Sequence, residues 1–433
     1  MNLNNKKIGI WGYGIMGKAT AAFLAAGHAV TIFDQRALSL DEEATLQKLN
    51  VAHEQNLEQF LQTQDIIIPS GGIDLRPFAS VHHKLLPELD LFALYFKKPI
   101  IAITGTLGKT TVTTLLTKAL AHAGKRVVCG GNIGVGLCDL LEKQDELDYA
   151  VLEVSSFQLE HCTLFAPDLA ILTNFFPNHL DRHTTLQDYF AAKKNMFAYQ
   201  KEDQKSLVPL TFKNDTVWPK ATRFFSCKKQ NSFENNLYYL DNKKIIDGVT
   251  QKELCDIAAL PPHLYQENIL IVAAALNLLG IAPDISFLAQ EQTIEHRLEK
   301  VATKNNITFY NDSKSTVPQA TLTALNALGN SSVILFLGGI SKGIDRKPMI
   351  KELQGKVKKV YCFGKEAEQL FTACAEYTIP AEAYSTLEQA FSVCMDNAQG
   401  GDAVLFSPAG ASFDLFKNYQ ERGAYFKKLV HSF

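Results

Sequence analysis

The sequence lacks a strong charge of either sign and lacks a long apolar run, and both absences narrow its possible functions. Its formal net charge is −2, from 43 basic and 45 acidic residues among 433. That balance gives no global electrostatic reason to bind nucleic acid. The longest apolar stretch, 269–281, is too short to span a bilayer and is predicted to form a buried core helix. We therefore expect no nucleic-acid partner and no membrane insertion.

Paired cysteines and a leader-like N-terminus are also missing. The eight cysteines are scattered and include no C-x-x-C pair. This argues against a zinc module or a disulfide framework and fits thiols in a reducing cytosol. The opening segment MNLNNKKIGIWG passes directly into an apolar strand, so no signal peptide is expected. These features predict a cytoplasmic protein.

Apolar strand-like runs alternate with helical patterns three times along the chain, which is typical of α/β domains with parallel sheets. A chain of 433 residues also exceeds what one core usually organises. We predict three consecutive α/β domains, at 1–96, 97–295 and 296–433. The polar segment 201–251 is predicted to be an antiparallel excursion from the central domain.

A glycine turn near the N-terminus has the spacing Gly12-x-Gly14-x-x-Gly17, between a strand and a helix. Such glycines let the backbone approach a pyrophosphate, which then rests on the helix N-terminus. Asp34 ends the next strand, where a carboxylate commonly takes a ribose hydroxyl. The pattern favours a Rossmann-like domain, and an NAD-dependent oxidoreductase is one interpretation of it. A tight turn without any ligand is another.

The segment Gly105-Thr-Leu-Gly108-Lys109-Thr110-Thr111 follows a buried strand and opens a helix. Backbone N–H groups and Lys109 in such a loop can hold triphosphate oxygens, while Thr110 offers a hydroxyl to Mg²⁺. Only two residues separate the two glycines, so the loop is not a standard Walker A motif. The central domain is therefore predicted to be a P-loop domain.

Polar residues follow the next apolar strands of the same domain. Glu153 ends one strand, where a carboxylate can reach a metal beside the phosphate loop. The cluster NHLDRH (178–183) comes after the following strand. A structural role is favoured for His183 when it is taken alone. Together, at the carboxyl ends of parallel strands, these residues predict a nucleotide and metal site.

Several motifs taken together resemble the Mur ligase family. They are GTLGKTT (105–111), GGNIG (130–134), LEVSSFQLE (152–160), NHLDRH (178–183), AAK (191–193), NDSKST (311–316), LGGISKGID (337–345) and SPAGASFDLFKNYQERG (407–423). The last two resemble the branch that adds D-glutamate. The resemblance implies an ATP-dependent, ADP-forming amide ligase that joins D-glutamate to UDP-N-acetylmuramoyl-L-alanine through an acyl-phosphate. Its expected setting is cytoplasmic peptidoglycan precursor synthesis, hence cell wall growth, cell shape and cell division.

The same resemblance implies a role for individual residues. The Rossmann-like first domain would hold the UDP substrate through Gly14, Ile15, Met16, Asp34, Gln35, Arg36, Ser70 and Gly71, and Asn132 would contact the muramoyl group. The central domain would bind ATP through Gly105, Thr106, Leu107, Gly108, Lys109, Thr110, Thr111 and Asn268, joined by Arg297 and Asp312. The Rossmann-like third domain would receive D-glutamate through Lys314, Thr316, Lys342, Ser412 and Tyr419.

The resemblance also implies two Mg²⁺ ions, one held by Thr110 and Glu153 and the other by His179 and Lys193. These residues and Lys109 would form the catalytic centre. The family's lysine at this place is carbamylated, which converts an ammonium into a carboxylate-like ligand. From its local sequence alone Lys193 would be a surface lysine. Only small-molecule substrates are implied, and a monomer is expected.

This sequence departs from the family pattern at a few positions. Leu107 replaces an asparagine of the phosphate loop, and Pro262, Leu264 and Tyr265 replace a glycine and a His-Asn pair. Three alternatives to the D-glutamate ligase therefore stay open. They are a sister ligase that adds a different amino acid, the NAD-dependent oxidoreductase, and a UDP-sugar binder without catalysis.

Overall fold

The computed structural model describes residues 3–179, 182–214, 218–229, 236–261, 263–290, 295–329 and 332–433, so Pro262 lies outside it. The described chain is mixed α/β, with sheets of four, nine and six strands, which confirms the predicted fold class. Two compact units are present: 1–175 with 187–258 and 266–285, and 176–186 with 259–265 and 286–433. The three-domain boundaries stay a prediction.

The four-stranded sheet of the first unit is parallel, with the order β3-β2-β1-β4. Its strands β1 and β4 are apolar and buried on both faces, as expected where helices cover a parallel sheet. A capping box of Ser39 and Glu42 starts the second helix. The elements are β1 (Lys7–Trp11), α1 (Ile15–Ala25), β2 (Ala29–Phe33), α2 (Leu40–Leu49), β3 (Ala52–His53), α3 (Leu57–Thr63), β4 (Ile66–Pro69), a 3₁₀ segment (Arg76–Lys84) and α4 (Glu88–Tyr95).

The nine-stranded sheet has the order β13-β12-β11-β10-β9-β8-β5-β7-β6. The predicted core helix is confirmed as α9, in which ten of thirteen residues are buried. The elements are β5 (Ile100–Thr104), α5 (Lys109–His122), β6 (Val127–Gly131), α6 (Leu137–Lys143), β7 (Tyr149–Glu153), α7 (Ser156–Leu159), β8 (Leu169–Leu172), α8 (Leu186–Ala198), β9 (Lys205–Pro209), β10 (Thr222–Ser226), β11 (Leu237–Asp241), β12 (Lys244–Asp247), β13 (Lys252–Asp256) and α9 (Gln266–Leu278).

The prediction for 201–251 was largely wrong. β9, β10 and β11 run parallel to β8 and continue the main sheet, and antiparallel pairing begins only at β12. Leu207, Val208 and Phe225 are buried in these strands. The strands are short and separated by polar loops, which hid their apolar pattern in the sequence.

The six-stranded sheet of the second unit has the order β14-β15-β19-β16-β17-β18, and only the edge strand β14 pairs antiparallel among the described strands. The sequence pattern missed both edge strands, which carry few buried residues. The elements are β14 (Glu299–Lys304), β15 (Ile307–Asn311), α10 (Pro318–Leu328), β16 (Ser332–Gly338), α11 (Lys347–Leu353), β17 (Lys359–Phe363), α12 (Ala367–Glu376), β18 (Ala381–Tyr384), α13 (Leu387–Asn397), β19 (Asp402–Phe406) and α14 (Tyr419–Ser432).

Helix length also bears on the membrane prediction. Across the described part of the chain, no helix combines the length and apolar character that a bilayer crossing requires.

Candidate active site

The turn after β5 has the geometry of a phosphate-binding loop. Gly105 and Gly108 have φ angles of +144° and +80°, and a Cβ at Gly105 would come within 2.0 Å of Thr173 Oγ1. Side chains do not fit these positions without strain. A Cβ at Gly108 would come within 2.6 Å of Asn268 Oδ1, which places Asn268 directly on the loop. Helix α5 begins at Lys109, so its N-terminal dipole points at the loop.

Two residues that the sequence analysis missed hold this loop in place. Asn174 Oδ1 accepts the Leu107 N–H at 2.8 Å, and the Thr173 hydroxyl donates to Leu107 O at 2.6 Å. The Thr106 N–H donates to Asn174 O at 3.1 Å. The loop thus keeps its shape through hydrogen bonds to its backbone atoms. These hydrogen bonds do not depend on the side chain at position 107, so they do not require an asparagine there. Both residues follow β8 directly. Their position at the carboxyl end of a parallel strand is the sequence signal that could have identified them.

Glu153 is a buried carboxylate at the carboxyl end of β7. It is 3% exposed, and its Oε1 accepts from Asn132 Nδ2 at 2.9 Å. Its Oε2 is buried and has no hydrogen-bond partner among the described residues. A buried carboxylate oxygen without a partner is costly unless a cation or donor joins it. The Oε2 atom of Glu153 is therefore suited to accept a cation or a hydrogen-bond donor.

Lys193 lies inside the protein, so the interpretation of it as a surface lysine is wrong. It is 2% exposed, and its Nζ donates to Gly105 O at 2.8 Å. The Lys109 Nζ donates to the same carbonyl at 3.0 Å. Burial, followed by the positive charge of Lys109, holds the Lys193 pKa well below its usual value, while Glu153 opposes that shift. Two lysines and one glutamate thus meet at the phosphate-binding loop.

Tyr189 supports this arrangement from the same helix as Lys193. Its ring centroid lies 4.6 Å from Lys193 Nζ, and its hydroxyl is 3.3 Å from Thr106 Oγ1. An ammonium over an aromatic ring is attracted by the ring quadrupole. Tyr189 was not among the residues predicted from the sequence, because nothing in its local pattern separates it from an ordinary core tyrosine.

The N-terminal glycine turn is as tight as its spacing predicts. Gly12 has a φ angle of +100°, and a Cβ at Gly17 would sit 1.9 Å from Gly12 O. Asp34 uses both carboxylate oxygens inside the turn, accepting the N–H groups of Tyr13 at 2.6 Å and Arg36 at 2.9 Å. The carboxylate therefore shapes the turn, which is a different role from holding a ribose hydroxyl.

Exposed residues surround this turn. Ile15 is 87% exposed on the first turn of α1, Met16 is partly buried beside it, and Gln35 is exposed. The Arg36 guanidinium donates to both carboxylate oxygens of Glu42, each at 2.7 Å. This pairing, with help from Lys18, lowers the Glu42 pKa.

Residues after β4 connect the glycine turn with the region of Glu153. The Ser70 N–H donates to Trp11 O at 2.8 Å, beside Gly12. A Cβ at Gly71 would lie 3.4 Å from Gln158 Cγ, and Gln158 caps α7 just after Glu153. The structure thus brings Ser70, Gly71 and Gln158 together. Gln158 was quoted within a motif but was not predicted as a site residue.

In the second unit, Asp312 forms a buried acidic centre next to Arg297. It accepts from the Ser407 hydroxyl at 2.7 Å, the Ser315 hydroxyl at 2.5 Å and the Leu298 N–H at 3.0 Å. Burial raises the Asp312 pKa to about 6, although these hydrogen bonds act in the opposite direction. The Arg297 Nε is buried without a hydrogen-bond partner among the residues that the structure describes.

Arg422 donates hydrogen bonds to two segments that carry residues of the predicted amino-acid site. It is fully buried and donates to Ser313 O at 2.7 Å, Ser313 Oγ at 3.1 Å and Gly410 O at 2.8 Å. Ser313 precedes Lys314, and the Lys314 Nζ lies 5.3 Å from the Tyr419 ring centroid. Arg422 was missed because a basic residue on an amphipathic helix usually faces solvent.

The other predicted residues of the second unit lie on loops and one helix start. Lys342 has a φ angle of +53°, and its Nζ lies 5.4 Å from the Phe413 ring centroid. Ser412 is buried, and Thr316 is partly buried. His179 also belongs to the second unit; its φ is +55°, and its N–H donates to Asn178 Oδ1 at 2.9 Å.

A preformed cluster of metal ligands is absent from the described ranges. Within them, no group of three or more His, Cys, Asp or Glu residues is arranged to hold a metal ion. Glu153 supplies one buried carboxylate oxygen, Oε2, that has no hydrogen-bond partner among these residues. Mg²⁺ commonly takes one or two protein carboxylates and completes its shell with water and substrate phosphate oxygens. The Oε2 atom of Glu153 therefore fits the role of a single carboxylate ligand to Mg²⁺.

Comparisons with known proteins decide the family. A family model described as the Mur ligase middle domain matches residues 103–276, and one described as the Mur ligase, glutamate ligase domain matches residues 296–410. The UDP-N-acetylmuramoylalanine--D-glutamate ligase of a Thermoanaerobacter species is 34% identical over 99% of both chains. That of Desulfotalea psychrophila is 37% identical over 97% of this chain and 95% of its own. The chain belongs to the Mur ligase family.

Membership of the Mur ligase family confirms the resemblance that the motifs indicated, and it makes the protein an ATP-dependent ligase that forms C–N bonds. The solved structure of the MurF ligase from Thermotoga maritima in complex with ADP is similar over 94% of this chain and 96% of that one. Its TM-score is 0.58 at 18% identity, a likeness that supports the fold alone.

Proposed function

We propose that this Mur ligase joins D-glutamate to UDP-N-acetylmuramoyl-L-alanine in the cytoplasmic synthesis of peptidoglycan precursors. The observation that carries the proposal is the convergence of Lys109, Lys193 and Glu153 on the phosphate-binding loop. This convergence occurs in a chain that is 34% identical along its length to ligases named for D-glutamate. We also propose that the enzyme acts as a monomer, which sedimentation would test.

The charges of the loop support an acyl-phosphate route. Transfer of a phosphoryl group to a carboxylate brings anions together, so the site has to offset their repulsion. Lys109 and the N-terminus of α5 supply positive charge at the place where the triphosphate would lie. Glu153 Oε2 and the Thr110 hydroxyl would hold Mg²⁺ there. When bound, the ion neutralises phosphate charge and orients the triphosphate.

We propose that Lys193 carries a carbamate in the working enzyme. Its ammonium is buried and shares the Gly105 carbonyl with Lys109, so two positive charges repel each other. In carbamylation the neutral amine attacks CO₂, forms a C–N bond and releases a proton. The resulting anion is attracted to Lys109 and gains the character of a metal ligand. The carbamate would be a ligand of the second Mg²⁺.

The remaining substrates would occupy the sites described above. The UDP moiety fits the glycine turn with Arg36, Ser70 and Gly71, where the dipole of α1 favours a diphosphate. Asn132 would meet the muramoyl group next to Glu153. In the second unit, Lys314, Lys342 and Tyr419 would receive D-glutamate, whose two carboxylates require cationic partners.

The decisive experiment measures ADP release from ATP with Mg²⁺ in the presence of UDP-N-acetylmuramoyl-L-alanine and D-glutamate. We expect turnover only when both co-substrates are present, together with a product larger by one glutamate. Turnover with L-lysine or another amino acid in place of D-glutamate would indicate a sister ligase. Binding of the UDP substrate without ADP release would indicate a binder without catalysis.

A further inference from the structure

A cavity of about 380 Å³ lies at the edge of the nine-stranded sheet opposite the phosphate-binding loop. It is lined by the starts of β9, β10 and β11 and by the end of α9. β5 and β8 to β11 are parallel, so the starts of these strands face away from the loop that follows β5. The thirteen residues of α9 separate the two places by roughly 20 Å. The cavity is therefore distinct from the proposed ATP site.

The lining of this cavity is cationic. Lys205, Lys220 and Arg223 contribute three positive side chains, and the described lining residues include no Asp or Glu. Lys220 pairs with Glu202 at 2.7 Å, but both side chains are more than 80% exposed. Such surface pairs hold their partners weakly. Asp247 balances the charge of Arg223, so the excess of positive charge at the cavity comes from Lys205 and Lys220.

Arg223 lines the cavity with a guanidinium that two neighbours hold in place. Its guanidinium lies over the Tyr238 ring at 4.3 Å from the centroid, and one terminal nitrogen pairs with Asp247 at 2.5 Å. Its Nε is buried and has no hydrogen-bond partner in the described part of the chain. A charged donor that is buried without a hydrogen-bond partner is costly in free energy. Because this Nε atom is shielded from solvent, a ligand in the cavity would meet the guanidinium at its terminal nitrogens.

Asn277 and Lys205 complete the lining. Asn277 Oδ1 accepts the Tyr238 hydroxyl at 2.8 Å, which leaves its amide nitrogen as a donor at the cavity. The negative dipole end of α9 would oppose an anion here. Lys205 Nζ offsets that end by donating to Leu278 O at 2.5 Å.

We propose that this cavity binds a phosphate monoester, a small phosphorylated metabolite held at its phosphate by Arg223, Lys220 and Asn277. A phosphate dianion matches both the excess of charge and the guanidinium and amide donors. The volume exceeds that of a lone phosphate, so the cavity has space for a small organic group. The proposal is independent of the proposed ligase reaction.

The test uses glycerol 3-phosphate as probe, titrated calorimetrically into the full-length protein at low ionic strength, with ADP and Mg²⁺ saturating the phosphate-binding loop. The variant Lys220→Gln is compared with Lys229→Gln. Lys229 is also an exposed lysine in an ion pair, with Asp241 at 2.6 Å, but it does not line the cavity. We expect Lys220→Gln to weaken binding about fivefold and Lys229→Gln to leave it unchanged.

A second variant, Asn277→Asp, places a negative charge in the lining and changes few atoms. We expect it to weaken binding by about tenfold or more, with a thermal unfolding midpoint close to that of the parent protein. Glycerol, which lacks the phosphate, should give no heat of binding. Absence of binding by the parent protein, equal weakening by Lys220→Gln and Lys229→Gln, or unchanged affinity in Asn277→Asp would overturn the proposal.

Discussion

At the scale of single residues, the carbonyl oxygen of Gly105 explains most about the candidate active site. It accepts from Lys109 at 3.0 Å and from Lys193 at 2.8 Å. Two ammonium groups this close repel each other, and the buried carboxylate of Glu153 only partly compensates. In the proposed function, a triphosphate would add negative charge near Lys109, and a carbamate would replace the positive charge of Lys193 with a negative one. Both changes would lower the repulsion at this carbonyl.

Replacement of Lys109 by alanine tests the phosphate-binding loop. We expect ligase turnover to fall by roughly a hundredfold or more, because the side chain offsets charge on the transferred phosphoryl group. The fold should remain, since Lys109 is only partly buried, and circular dichroism would check it. Lys118→Ala, which removes an exposed lysine from the same helix, serves as the control. Near-normal turnover in Lys109→Ala would contradict the assignment.

Replacement of Lys193 tests the proposed carbamate. Lys193→Ala should lose roughly a hundredfold in turnover, because an anionic ligand at the triphosphate disappears. Added acetate should restore part of that activity by filling the vacant place. Lys193→Arg should remain inactive because its fixed positive charge worsens the repulsion. Lys194→Ala, at the neighbouring position of α8, is the control. Full activity in Lys193→Arg would exclude the carbamate.

At the scale of elements, α4 begins with a buried glutamate, and its effect on the free energy of unfolding can be measured. Glu88 is 7% exposed, and neither carboxylate oxygen has a partner among the described residues. Burial, followed by the charge of Asp139, raises the Glu88 pKa from 4.5 to about 7. The native state therefore favours the protonated form. Stability is retained at low pH and is lost as the pH rises from 4.5 towards 7.

We expect Glu88→Gln to stabilise the protein above pH 7, since glutamine mimics the neutral acid. The gain in the free energy of unfolding should grow from about 1 kcal/mol at pH 5.5 to about 3 kcal/mol at pH 8.5. Urea unfolding at both pH values measures it. Glu58→Gln, an exposed substitution on α3, is the control. A gain that does not change with pH would show that ionisation of Glu88 is not its cause.

Much of the fold was predictable at this scale, because buried parallel strands and glycine turns leave clear local patterns. β1, β2 and β15 coincide with short apolar runs that are visible in the sequence. The edge strands β14 and β18 were not, since they bury little apolar surface. The same holds for the candidate site. Residues within motifs could be proposed from the sequence. Thr173, Asn174, Tyr189 and Arg422 could not, because they act through contacts between distant parts of the chain, which no local pattern shows.

At the scale of the whole molecule, each sheet supplies one predicted binding region. The carboxyl ends of β1 and β4 carry the glycine turn with Ser70, and those of β5 and β7 carry the phosphate loop with Glu153. The ends of β15 and β19 bring Asp312 next to Ser407. Strand carboxyl ends are the usual ligand positions of open parallel sheets. Each of the three sheets thus carries one of the candidate binding regions at the carboxyl ends of its strands.

The final prediction separates a UDP site from an NAD site in the first sheet. Asp34 already accepts two backbone N–H groups within the turn, so we expect measurable UDP binding and no measurable NADH binding by the full-length protein. Arg36→Ala should weaken UDP binding by about tenfold, because it removes a cation beside the diphosphate turn. Arg126→Ala, which removes another exposed arginine paired with an aspartate, should leave UDP binding unchanged. Calorimetric titration measures all three proteins, and tight NADH binding or hydride transfer would instead support an oxidoreductase.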